Sequence, residues 1–219
     1  MSQTFELREE VKLVERDCGG IFLIDLNADT YAIPDSEELS ELVSTRRFTR
    51  RTHSLADQLS EAGLLESAKP AHSRNRTLQW LLWLMKPLMH GPGRAGRLVV
   101  CSYILLKHFG WYDIANAWTV AFRTRRQRNP KRNLEEIGVE ARTAIASSFL
   151  PVRCKERSLA AFALATHAGF RADLVVGCAQ PCLELHCWAE VSGKILGEDT
   201  DRRRELIEIH RFHSANEED

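Results

Sequence analysis

The chain lacks any apolar run long enough to cross a bilayer. Its two longest, Leu78–Met85 and Leu98–Leu106, fall well short of the roughly 18–20 residues that a spanning helix needs. The start, Met1–Lys12, carries acids and has no apolar stretch, so a secretory signal is not expected. Net charge is also missing. Lys plus Arg and Asp plus Glu number 30 each in 219 residues, which removes the bulk electrostatic case for nucleic acid or an anionic membrane as a partner. There is no internal repeat and no low-complexity tract. Proline and glycine are sparse, at 7 and 12 residues. These absences point to a cytoplasmic globular protein, and the 44% of apolar residues suffices for a core.

Six cysteines are present, at 18, 101, 154, 178, 182 and 187. Without an export signal they are expected to be reduced, so nucleophilic or metal roles weigh more than a disulfide framework.

The length allows one large domain or two small ones. Residues 1–68 read as a small domain of strands followed by helices. Val11–Glu15 alternates, and Ile21–Leu26 and Thr30–Ile33 flank the turn residues Asn27-Ala28-Asp29, which predicts a hairpin. Asp35–Glu38 follows Pro34 as a helix start with acids in its first turn. A second helix begins near Thr52–Ser54 and carries Leu55, Leu59, Ala62 and Leu65 on one face. Residues 69–77, polar and containing Pro70, read as a linker.

Residues 78–219 form the second domain. Helices are predicted over Leu78–Met89, Leu98–His108, Tyr112–Phe122 and Leu134–Ser148, with a break at His90–Gly93. Cys154–His167 reads as a helix that Gly169 caps. Strands follow at Ala172–Gly177 and His186–Ser192, and Ser192-Gly193 turns the chain into a partner strand, Lys194–Gly197. Helices followed by strands make an α+β fold.

Three residues in this last part carry nucleophilic chemistry. Cys154 follows a Pro151-containing loop and opens a helix, where unpaired N–H groups and the positive dipole end favour a thiolate. The dipole alone is worth roughly one pKa unit, so a neighbouring base is needed to ionise a thiol that titrates near ~8.5. His186 opens a strand and is the residue type for that base. Glu198 lies past the Ser192-Gly193 turn, and hairpin pairing can return it beside His186 to orient the imidazole. Asp199 is the alternative. Neighbours on a strand face opposite ways, so only one of the two acids is expected to reach the ring.

Cys178, Cys182, His186 and Cys187 also invite a zinc reading. The lack of a second tight cysteine pair, and the opposed directions of His186 and Cys187 on a strand, argue against it. Neither metal nor cofactor is expected. Two basic clusters, Arg46, Arg47, Arg50 and Arg51, and Arg123–Arg132, have no aromatic interleaving and read as solvated faces or as receivers for acidic residues of a partner.

The segments Arg153–Ala160, Gly169–Gly177, His186–Val191 (His-x-Trp-x-Glu-Val) and Gly193–Asp199 together resemble the leader peptidases of lasso-peptide biosynthesis, which are transglutaminase-like cysteine peptidases. The resemblance implies a transglutaminase/papain-like peptidase domain with Cys154 as nucleophile, His186 as base and an acid after the hairpin. The family commonly has Asp there, so Glu198 is a departure and Asp199 stays open. The resemblance also implies thioester chemistry and an ATP-dependent lasso cyclase acting on the freed core peptide. Gly20–Leu26, Thr30–Pro34 and Leu55–Leu65 resemble the winged-helix-like recognition element of peptide-modifying systems. That likeness implies binding of a precursor's leader region as an added strand against Tyr31, Ala32 and Ile33, with Leu55 and Leu59 from the helix. A non-catalytic leader-binding protein and a transglutaminase-like acyl transferase are the competing readings.

Overall fold

A computed structural model describes residues 5–15, 21–27, 30–32, 47–48, 59, 61–62, 64–67, 74–85, 87, 91–122, 132–179, 184–198 and 206–213. Mixed helix and sheet fall into two compact units, Met1–His72 and Ser73–Asp219.

In the first unit β2 (Val11–Glu15), β3 (Ile21–Asp25) and β4 (Thr30–Ala32) form an antiparallel sheet in that order. The β3–β4 register, Leu23 opposite Ala32 and Asp25 opposite Thr30, is that of the predicted hairpin. Strand β3 lies in the middle and is buried on both faces through Phe22, Leu23 and Ile24. That burial explains its unbroken apolar run. Among the described strands, β4 is an edge. A second sheet, in the order β5-β1-β6, joins Arg47–Phe48, Phe5–Leu7 and Leu65–Ser67.

Two expectations change here. Leu65 does not continue the helix that holds Leu59. It pairs with Leu7 in strand β6, and the backbone N–H of Leu64 bonds back to the Leu59 carbonyl at 2.8 Å. Helical spacing alone does not register where a helix ends. Residues 74–77, read as linker, open a helix. A first turn leaves its N–H groups unbonded and tolerates polar residues, so polarity there does not mark a linker. The helix expected at Asp35–Val43, and Ile33 and Leu55, lie outside the described residues, so a winged-helix arrangement is not established.

The second unit begins with α1 (Arg74–Met85), α2 (Arg94–His108), α3 (Trp111–Ala121), α4 (Leu134–Ala146) and α5 (Cys154–His167). An antiparallel sheet follows in the order β10-β7-β8-β9, built from Leu206–His213, Asp173–Ala179, Glu184–Val191 and Lys194–Ile195. Helix α2 starts at Arg94, directly after Gly93 at φ 71°, and not at Leu98, again because its first turn is polar. Strand β10 was not anticipated, although Leu206–Phe212 contains apolar-polar alternation.

Helix α5 is the centre of this unit. Leu159 to Ala165 are all buried, because α2 and α4 pack on one side and β8 on the other. Four alanines, at 160, 161, 163 and 165, let these neighbours approach, and a helix apolar all round is the pattern of a buried one. Trp118 donates from Nε1 to the Leu159 carbonyl at 3.0 Å, satisfying its buried donor. No helix among the described residues is long and apolar enough to cross a membrane.

Candidate active site

The site starts from the way α5 begins. The Val152 N–H bonds the Leu150 carbonyl at 2.8 Å across Pro151, Arg153 is extended at φ −117° and ψ −170°, and Cys154 is the first helical residue. The Glu156 carboxylate accepts the Arg153 backbone N–H at 2.9 Å, which ties off the entering chain and puts an acid in the first turn. This cap fixes where the helix starts, and so where the Cys154 sulfur sits.

Strand β9 pairs with β8 only at Glu190 and Val191, followed by a bond from the Leu196 N–H to the Ala189 carbonyl at 2.9 Å. The chain then leaves the sheet at Gly197, whose φ of +77° suits glycine. The next residue, Glu198, meets His186: Nε2 and Oε2 are 2.6 Å apart. The other carboxylate oxygen, Oε1, pairs with Nη2 of Arg157, three residues after Cys154 on α5. With Nε2 taken by Glu198, Nδ1 is the ring nitrogen left for the hydrogen bond to Cys154.

The Cys154 sulfur meets both His186 and Cys187, with hydrogen bonds to the side chain of each and to the Cys187 backbone N–H. The opposed directions of those two neighbours, which counted against a shared zinc, do not keep Cys187 away from the thiol. Among the described residues, no group of three or more His, Cys, Asp or Glu is placed to hold a metal, and Cys182 lies outside them.

The electrostatics follow from these contacts. The Cys154 thiol is pushed down to about 4, first by the Cys187 side chain, then, against the cost of burial, by His186 and the Cys187 backbone N–H. His186 is raised to about 9 by its bonds to Cys154 and Glu198 and by their negative charge, burial opposing. Above about 4 the sulfur is a thiolate and below about 9 the ring is an imidazolium, so at neutral pH the site holds an ion pair. Burial pushes the Cys101 and Cys178 thiols the other way, which makes them packing residues rather than nucleophiles.

The imidazole is also held from the side. Trp188 lies over it with ring centroids 6.2 Å apart and planes at 21°. Nε1 of that indole donates to Glu190 Oε2 at 3.2 Å, and Glu190 Oε1 accepts from Arg211 at 3.2 Å. Gly177 makes room: a Cβ there would come within 2.9 Å of the Trp188 ring and 2.8 Å of the Ile207 carbonyl.

The structure thus brings Cys154, His186 and Glu198 together. Asp199 lies outside the described residues. Of the leader-binding candidates, Tyr31 and Ala32 are on edge strand β4, and Leu59 is a buried helical residue. Sequence reasoning missed Arg157, Cys187 and Trp188 as site residues. Only Arg157 carried a usable signal, since three residues past Cys154 on a helix is the same face. Among the described part of the basic clusters, Arg132 pairs with Glu140 at 2.6 Å, a tie at the start of α4 rather than a free cationic surface.

Residues 98–211, just over half of the chain, match a family model described as the transglutaminase-like superfamily. No curated protein and no solved structure matches the chain.

Proposed function

The chain belongs to the transglutaminase-like superfamily, and on that premise we propose that it is a cysteine peptidase that removes the leader from a ribosomal precursor peptide, as the leader peptidase of lasso-peptide biosynthesis. The observation that carries the peptidase reading is the Cys154–His186–Glu198 line, with the thiol at a helix N-terminus and the imidazole's far nitrogen 2.6 Å from the carboxylate.

In this reading the Cys154 thiolate attacks the carbonyl carbon of the leader–core bond. Backbone N–H groups at the start of α5, near Cys154, would hold the oxyanion. Nδ1 of His186 gives its proton to the departing amine, leaving an acyl thioester and neutral imidazole. The imidazole then takes a proton from water, which opens the thioester and regenerates the pair. Glu198 holds the ring and stabilises the imidazolium without itself being protonated.

Leader recognition is assigned to the first unit. Strand β4, with Tyr31 and Ala32, is an edge among the described strands, and β-augmentation uses such an edge. Ile33, Leu55 and Leu59 complete the proposed contact set, with Leu59 supporting it from the core. Tethering the leader raises the local concentration of the cleavage site to ~mM. The freed core is the substrate of an ATP-dependent lasso cyclase in the same cytoplasm.

The test is mass spectrometry of a candidate precursor incubated with wild type and Cys154→Ala, with and without the cyclase and ATP. The expected result is two fragments whose masses sum to precursor plus one water, from wild type only. A ligated product would assign acyl transfer instead. Leader binding without cleavage under every condition would leave a recognition protein and end the catalytic reading.

A further inference from the structure

We propose that Arg157 is a positioning residue of the site, acting through Glu198 to set the orientation of His186. The inference rests on the Cys154–His186–Glu198 reading above and extends it to a fourth side chain.

Glu198 uses its two oxygens on two different partners: Oε2 on His186 and Oε1 on Arg157. Its side chain is 8% exposed, so water does little to hold the carboxylate in place. It also sits directly after Gly197, at a left-handed bend, and beyond the last β8–β9 pair. The sheet ladder therefore does not fix it. A carboxylate on such a bend can turn away from the ring unless its second oxygen is held. Arg157 supplies that hold from α5, the helix that also places Cys154. Nucleophile and carboxylate are then referenced to one rigid element three residues apart.

The other side of the pair supports the same reading. Among the described residues, Arg157 Nε is buried without a hydrogen-bond partner. An unpaired buried donor costs stability, so a guanidinium placed only for packing or solubility would not be held there. Its ion pair with Glu198 offsets that cost. Arg is suited to the task because its charge does not titrate and its planar fork fixes direction.

The role predicts a specific titration. Losing the hold frees Glu198 to rotate, and the imidazolium loses part of its stabilisation. Thiolate–imidazolium formation then moves to higher pH, and loss of the imidazolium proton moves to lower pH. The window between them narrows from both ends. A purely structural arginine would lower the melting temperature and leave the window alone.

The experiment is the rate of Cys154 alkylation by iodoacetamide against pH, read by intact mass on the full chain, for wild type, Arg157→Met, Arg157→Lys, Glu198→Gln and the Arg157→Met/Glu198→Gln double variant. Wild type is expected to step up in rate at about 4, as the thiolate forms, and to change rate again at about 9, where the thiolate persists but loses the imidazolium beside it. Arg157→Met is expected to draw each limb inward by about one pH unit, the lower end for losing a neighbouring opposite charge. Arg157→Lys, which keeps the cation and loses the fork, should narrow the window by less. The double variant should match Glu198→Gln alone, because the arginine acts through the carboxylate.

An unchanged window in Arg157→Met, or a double variant narrower than Glu198→Gln by the full Arg157→Met effect, overturns the proposal. If Arg157→Met fails to fold, Arg157→Lys carries the test, and a window equal to wild type then overturns it. Alkylation needs no peptide. A narrowed window in a protein that cuts no precursor leaves the positioning role standing and removes the peptidase reading.

Discussion

Gly138 tests how tightly the Glu198 carboxylate is held in place. It lies in α4, where a Cβ would sit 3.2 Å from the Gly197 backbone nitrogen and 3.6 Å from its Cα. The obstruction is backbone, not the end of a flexible side chain, and the next residue is Glu198. Gly138→Ala therefore has two opposed effects. The helix gains about 0.5–1 kcal/mol from replacing glycine, and the contact costs a comparable amount, so stability stays within about 1 kcal/mol of wild type. The Gly197 bend must move by a few tenths of an ångström. If a misplacement of about 1 Å costs roughly a hundredfold, a shift of about 0.3 Å costs about fourfold. Gly138→Val cannot be absorbed this way and should lose about a hundredfold or more in rate, with about 1–3 kcal/mol of stability from overpacking. Thermal unfolding gives the first quantity, where 1 kcal/mol corresponds to about 2–4 °C at this size. The rate of precursor cleavage gives the second. Gly138→Ala with the full glycine-to-alanine gain in stability and an unchanged rate would show that α4 does not clamp the loop carrying Glu198.

Two further outcomes are expected. Cys187→Ala removes the first cause of the low Cys154 titration but none of those acting on His186. The acid limb of alkylation should rise by at least about one pH unit while the limb at about 9 stays, and movement of both limbs together would contradict the assignment. Gly177→Ala puts a methyl into the Ile207 carbonyl and the Trp188 ring. It should destabilise by about 1–3 kcal/mol, and a denaturant midpoint equal to wild type would show that Trp188 has another place to go.

Local order was written plainly in the second unit and less so in the first. Helix α5 was legible from Pro151, an apolar run and Gly169, and its observed limits, Cys154–His167, are those read from the sequence. The turn at Ser192-Gly193 was legible for the same kind of reason, since positive φ there, at 49° and 81°, follows from local residue choice. Strands β6 and β10 were not. Leu65 fits a helical face equally well, and only its pairing with Leu7 across the chain decides the matter. Strand β10 follows the charged stretch Asp201–Glu205, and what makes it a strand is the neighbouring β7.

The same division runs through the candidate site. By itself the sequence determined which groups could do the chemistry: a thiol at a helix start, an imidazole opening a strand, and two acids past a tight turn. These are properties of residue type and near neighbours. Only the tertiary structure decided who meets whom. It gave His186 to Glu198 through a glycine bend that leaves the sheet, gave the second carboxylate oxygen to Arg157, and set Cys187 beside the Cys154 thiol. The reason is physical. Hydrogen bonds of 2.6 Å depend on how α4, α5 and β8 pack, and packing joins residues that spacing along the chain cannot relate.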